Sequence, residues 1–269
     1  TGHYCQKRTN EDGSFSLLAG ADPGKDQSYF LCQLSQEQLS KALFPIGQLQ
    51  KAEVRQIAQE NELILADKKD SQGLCFVGKI ALPTFLQQQL APKIGPVIEV
   101  PSDLDQFKAY QTLQPIASNI ELLSKPFHYE LTDGKEVTTH QGAHYYTIGQ
   151  RKGLHIGGRP EPSFVIGIDT IHNIVYSGQN EQHPGLNRWA LKLDENSISW
   201  VNKVQEFELK QLLPCLVRIR YRQPLQKATL LKNDTGCYIL FEHKQKGIAP
   251  GQFAAWYNGE ELLGSGVIA

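Results

Sequence analysis

Apolar positions in the first third of the chain follow a helical period, and further on they alternate or gather into short runs. After a turn at Asp22-Pro23-Gly24, the spacing Ser35-x-x-Gln38 matches a capping box and predicts a helix start. In LQKAEVRQIAQENEL (residues 49–63), Val54, Ile57 and Ala58 recur on one helical face with Glu and Gln opposite, and Asn61 suits the end. The runs LILA (63–66) and LCFV (74–77), with a polar turn between them, predict short buried strands. Residues 82–90 predict another helix, with Pro83 tolerated in its first turn. Helices followed by short apolar strands read as the end of an α/β domain.

From Pro92 onward prolines, glycines and β-branched runs dominate. PVIEV, FHYEL, KEVTTH, HYYTIG, SFVIGID and NIVYSG read as strands of a small β-rich domain. From about His183 a second series follows: WALKL, SISWV, CLVRIRYR, KATLLK, CYILFE, FAAWYNG and LLGSGVIA. Turn residues interrupt it at steps of about 8–12 residues, the mark of a barrel or sandwich. The sequence holds no internal repeat and no low-complexity segment.

Composition narrows the function classes only a little. Lys+Arg 27 against Asp+Glu 28 leaves no net charge that would name a partner. No apolar run approaches the roughly 18 residues that span a bilayer, and no leader is visible, so a cytoplasmic protein with no membrane partner is expected. Cys5, Cys32, Cys75, Cys215 and Cys237 are odd in number, scattered and free of CxxC pairs, which argues against a disulfide framework and against zinc. The chain opens on Thr1 and contains no methionine. It is therefore expected to be a piece of a longer protein, or to lack some of its residues.

Three stretches carry candidate chemistry. In LVRIRYRQ, strand geometry would put Arg218, Arg220 and Arg222 on one face at steps of about 6.5–7 Å. That spacing fits successive phosphates of an extended nucleic acid, and it equally fits the solvated face of an ordinary strand. Residues 140–160 (HQGAHYYTIGQRKGLHIGGRP) mix cations, aromatic rings and glycines in a way that suits RNA, or else form a charged glycine-rich connection. Their histidines have no carboxylate or cysteine at ligand spacing, so no metal is expected. Cys75 follows a polar turn with Lys68 and Lys69 nearby, a setting for an activated thiol or for a small buried hydrophobe.

The ordered motifs KDQSYFL (25–31), LFPIG (43–47), KKDSQGLCFVG (68–78), TIGQRKGL (147–154), RIRYRQ (218–223) and APGQ (249–252) resemble the bacterial tRNA-specific 2-thiouridylase family. The resemblance covers essentially the whole chain. It implies an α/β and β fold: residues 1–78 the remainder of an adenine-nucleotide α-hydrolase-like, ATP-pyrophosphatase-type domain, 79–180 a central β-rich linking domain, and 181–269 a C-terminal β-barrel. It implies 2-thiolation of the wobble uridine of tRNA. ATP, with Mg, activates the C2 oxygen, and a cysteine persulfide delivers sulfur received from a persulfide donor or sulfur-relay protein.

By position, Cys75 matches the persulfide cysteine and Gly2 a glycine at the nucleotide. His3, Lys25, Asp26, Gln27, Arg220, Tyr221 and Gln252 match tRNA contacts, with the Gln27 amide placed to read a flipped uracil. No DNA partner is implied. The family's Ser-Gly-Gly-x-Asp-Ser pyrophosphate loop and its upstream partner cysteine are absent from this sequence. The alternative reading is a tRNA-binding, sulfur-carrying fragment without complete catalytic activity. A free-standing persulfide sulfurtransferase is a third.

Overall fold

A polar turn closes the first hairpin. Gly13 adopts φ 80 and Ser14 N donates to Asp12 Oδ1 at 3.0 Å, so β1 (Cys5–Thr9) folds back on β2 (Phe15–Ala19). The computed structural model describes residues 1–68, 82–202 and 211–269. Helices α1 (Gln36–Lys41) and α2 (Lys51–Glu60) follow, then α3 (Leu82–Gln87), β3 (Gly95–Glu99), α4 (Asp105–Gln111), α5 (Ile120–Ser124), β4 (Lys135–His140), β5 (Ser163–Asp169) and β6 (Ile174–Gln179). Next come β7 (Asn187–Leu193), β8 (Ser199–Trp200), β9 (Leu212–Arg218), β10 (Gln226–Asn233), β11 (Gly236–Lys246), β12 (Phe253–Asn258) and β13 (Glu261–Val267). The chain divides into two units, one of Thr1–Lys68, Ala190–His243 and Pro250–Ala269, the other of Lys69–Trp189 and Lys244–Ala249.

In the first unit the strands form one sheet in the order β1-β2-β13-β12-β9-β10-β11-β7, with β8 on β13. β13 joins the amino-terminal hairpin to the carboxy-terminal strands by pairing Leu262 with Leu17. Cys5, Leu17, Tyr29, Cys32 and Leu39 therefore share one core with Val201, Ala255, Tyr257 and Leu262. Each large apolar side chain so buried contributes about 1.5–3 kcal/mol. The second unit holds a smaller sheet, β4-β3-β6-β5, in which only β3 and β6 run parallel. Its core faces carry Phe107, Phe164, Ile166 and Leu186 on one side and Val97, Leu154, Val165 and Val175 in a second cluster.

The helix signals hold. Ser35 Oγ accepts from Gln38 N at 3.3 Å while Gln38 Oε1 accepts from Ser35 N at 3.0 Å, a reciprocal cap. Asn61 ends α2 by donating its side-chain amide to Ile57 O at 2.8 Å. Four strand expectations do not. LILA is a turn: Glu62 adopts φ 52, Leu63 N reaches back to Ala58 O, and Ile64 is 99% exposed. An apolar run becomes a strand only where a ladder partner exists, and here the left-handed residue reverses the chain first.

In FHYEL the alternation is correct, since Phe127 and Tyr129 pack on the Phe107 cluster. Glu130 N instead donates to Asp133 Oδ2 in a 3-10 turn. HYYTIG begins in a 3-10 turn after Gly142 at φ 148 and continues as a Thr147–Gln150 turn. Finally, β9 stops at Arg218, so the three arginines do not share a strand face. Residues 219–222 bend instead, with Arg222 at φ 65. LCFV lies outside the described residues.

Candidate functional site

The segment KDQSYFL is the hub of the first unit. Gln27 grips the chain at Tyr4 twice: its backbone N donates to Tyr4 O, and its Oε1 accepts from Tyr4 N, each at 3.0 Å. The Gln27 side-chain oxygen thus accepts from the chain, and its amide group carries two N–H donors besides. This grip holds the neighbouring Gly2 and His3, of which Gly2 is exposed with open space where a Cβ would stand. His3 Nδ1 sits 2.6 Å from Thr1 Oγ1. Close packing fixes the same segment from behind. A Cβ on Gly47 would lie 1.8 Å from Cys5 O, and one on Gly20 2.4 Å from Tyr4 O, which accounts for the glycine of LFPIG.

Asp26 points inward. Its Oδ1 accepts from Gly20 N at 3.2 Å and Ser28 N at 3.0 Å, and its Oδ2 accepts from Arg218 Nη1 at 2.8 Å. Its side chain is 4% exposed, so in this structure it positions neighbours rather than facing solvent. Arg218 also lies over the Tyr257 ring at 5.6 Å, and the Tyr257 hydroxyl meets Ser28 Oγ at 3.1 Å. Arg218 thus serves the interior, not a phosphate row.

Tyr29 ties the remaining motifs together. Its buried hydroxyl reaches Phe253 O at 2.9 Å and Ile219 O at 3.2 Å. Burial pushes its pKa up to about 12, so it stays a donor throughout the neutral range. Ile219 precedes Arg220 and Tyr221, and Phe253 follows Gln252. One phenol therefore sets the places of three expected tRNA contacts. The turn itself is closed by Gln223, whose Oε1 accepts from Ile219 N at 2.9 Å and whose N donates to Arg220 O at 3.2 Å. Arg220 is half-buried, and that burial lowers its pKa somewhat. Gln252 is fixed at its carbonyl by Ile268 N at 2.8 Å, after Gly251 turns at φ 82. Lys25 is half-buried, with its N donating to Asp22 O.

Ser28 and Tyr29 were missed as site-building residues by sequence reading, although they stand inside KDQSYFL. Cys75 lies outside the described residues. The other four thiols are free of disulfides, and burial raises all of them, Cys5 and Cys215 to about 12 and Cys237 to about 11. In the second unit, TIGQRKGL forms a loop that Leu154 anchors in the core at 3% exposure while Arg151, Lys152 and His155 stay outside. Arg151, His155 and Arg159 line a concavity of about 410 Å³ there, with Arg159 paired to Glu99 at 3.1 Å.

Three family models match in chain order: a tRNA methyl transferase HUP domain over residues 1–79, a tRNA methyl transferase PRC-barrel domain over 127–179, and an aminomethyltransferase β-barrel domain over 191–268. Together they define the mixed α/β and β architecture of a tRNA-directed transferase. Relatives sharpen this. A tRNA-specific 2-thiouridylase MnmA from Christiangramia forsetii is 54% identical over the whole chain, which covers 69% of that protein. Those from Flavobacterium johnsoniae and Karelsulcia muelleri are 50% and 45% identical with the same coverage. The chain belongs to the tRNA-specific 2-thiouridylase family.

Proposed function

We propose that this chain is the tRNA-gripping and sulfur-delivering part of an enzyme that replaces the C2 oxygen of a tRNA wobble uridine by sulfur. The observation that carries the reading, beside family membership, is the Tyr29 hydroxyl between the carbonyls of Ile219 and Phe253. It gathers KDQSYFL, RIRYRQ and APGQ around one buried group, as a site reading one RNA would require. His3, Lys25, Gln27, Arg220, Tyr221 and Gln252 are the residues we assign to tRNA, with Asp26 holding them in place. The exposed cations of residues 151–155 suit a further stretch of the RNA backbone. Residues 1–78, 79–180 and 181–269 are the domains we assign, and the cytoplasm is where we place the protein.

Cys75 is assigned the persulfide, loaded by a persulfide donor or relay protein. The raised pKa of every other described thiol supports that choice, because a thiolate is the nucleophile and sulfur carrier. ATP supplies the leaving group that activates the uridine oxygen. Gly2 fits its part, since nothing occupies the space beside its Cα. Mg would accompany the ATP; among the described residues no group of three or more His, Cys, Asp or Glu is placed to hold a metal.

The test is nucleoside mass spectrometry of tRNA from cells lacking the gene and from cells resupplied with it. Loss of 2-thiouridine and its return on complementation are expected. Unchanged 2-thiouridine in the deletion strain contradicts the function. If tRNA binds to this chain but 2-thiouridine returns only with a longer protein, the chain is the binding and sulfur-carrying fragment.

A further inference from the structure

The turn that follows β9 presents more than Arg220 and Tyr221. Phe30 is 56% exposed, a large exposure for a phenylalanine. Its ring lies against Tyr221, with centroids 4.3 Å apart and planes tilted by 36°. On Tyr221 also rests the guanidinium of Arg222, 5.2 Å from the ring centroid. Among the described residues no carboxylate pairs with Arg222, which is exposed.

The turn is built rather than loose. Gln223 closes it, Tyr29 holds its first carbonyl, and Arg222 adopts φ 65, a region that costs a non-glycine residue free energy and persists where surrounding contacts enforce it. Phe30 is fixed by the same arrangement, since it directly follows Tyr29, whose ring meets it edge-on at 6.2 Å. The outcome is an open aromatic surface bordered by arginines. Solvent-exposed aromatic stacks with adjacent cations are what unpaired bases of single-stranded RNA settle on: the ring binds the base and the guanidinium binds the backbone or the ring.

We propose that Phe30 and Tyr221, with Arg222, form a stacking platform for one unpaired nucleobase of the substrate tRNA, so that Phe30 and Arg222 are further RNA-binding residues. The inference rests on the tRNA reading above. It adds a base contact where that reading has only residues matched by motif. The positive border selects a polyanionic partner over an apolar protein segment.

An RNA stem-loop with unmodified uridine in its loop, carrying 2-aminopurine at each loop position in turn, tests it. Fluorescence of one position should be quenched on binding to the chain and should recover with Phe30→Ala. Phe30→Ala should weaken binding about 5- to 150-fold, the effect of losing one base–aromatic stack, with the salt slope unchanged. Phe30→Trp should restore it. Arg222→Gln should lower the log–log salt slope by roughly 0.7. If Phe30→Ala fails to fold, Phe30→Leu keeps the apolar volume, removes the ring and should give the same loss. Quenching at no position, or full affinity of the Phe30 variants while Arg220→Glu weakens binding, overturns the platform alone. No binding of any RNA by the wild-type chain overturns the reading on which it rests.

Discussion

Asp26 Oδ2 accepts a hydrogen bond from Arg218 Nη1 at 2.8 Å across 192 residues of sequence. The pair fastens KDQSYFL to the end of β9, from which the Arg220–Tyr221 turn departs. Both side chains are almost wholly covered, at 4% and 11% exposure, and Asp26 serves two backbone N–H groups besides. Removing one member strands the other charge in the interior. Asp26→Ala should therefore destabilise the fold by about 3–5 kcal/mol in urea titration, and Arg218→Met added to it should recover part of the loss. A loss under about 1 kcal/mol for Asp26→Ala would mean that the pair is not a structural link.

Glycine at two positions of the site serves different ends. A Cβ on Gly47 meets Cys5 O at 1.8 Å, whereas at Gly2 nothing lies within 4 Å. Gly47→Ala should lower stability by about 1–3 kcal/mol, as overpacking does, and loosen the start of β1, which His3 precedes. Gly2→Ala should leave thermal unfolding unchanged and act on nucleotide affinity instead. Calorimetry of both variants separates the two roles; equal melting of both would remove the packing account of LFPIG.

High pH should unfold the protein through its buried and half-buried thiols and one buried phenol. Cys5 and Cys215 are pushed up to about 12 from 9.0, Cys237 to about 11, and Tyr29 to about 12 from 10.0. Each is raised by burial, so the unfolded chain loses these protons first. Stability from these groups is complete below about pH 9 and falls as pH climbs from 9 toward 12. Urea midpoints measured at about pH 8, 9.5 and 10.5 should decline in that order. Cys5→Ser should not be used as a control for this, because it places a hydroxyl in the core; Cys5→Ala should flatten the decline.

Much of this was legible in the sequence where short-range chemistry decides. KEVTTH and SFVIGID coincide with β4 and β5, and the Ser35–Gln38 cap and the Asn61 stop stand where their spacing put them. Local patterns failed where the outcome depends on a distant partner. LILA has strand composition but no ladder to join, and the alternating arginines of RIRYR part company because Asp26 draws Arg218 inward while Gln223 bends the rest. The β1–β2 hairpin has no signal in the local pattern, since CQKRT and FSLLA are short and acquire meaning only beside β13. Site residues were reached through motifs, while Tyr29, which gathers them, has no signal of its own beyond its place among them.

If this chain grips tRNA so that Cys75 can deliver sulfur to it, as proposed, removing that thiol must stop thiolation and spare activation. The most direct measurement is 2-thiouridine formed on tRNA by full-length protein with Cys75→Ala, beside ATP-dependent adenylation of the same tRNA. Thiolation should disappear while adenylation continues, since in the proposed order sulfur arrives after the oxygen has been activated. Substantial 2-thiouridine from the Cys75→Ala protein would contradict it.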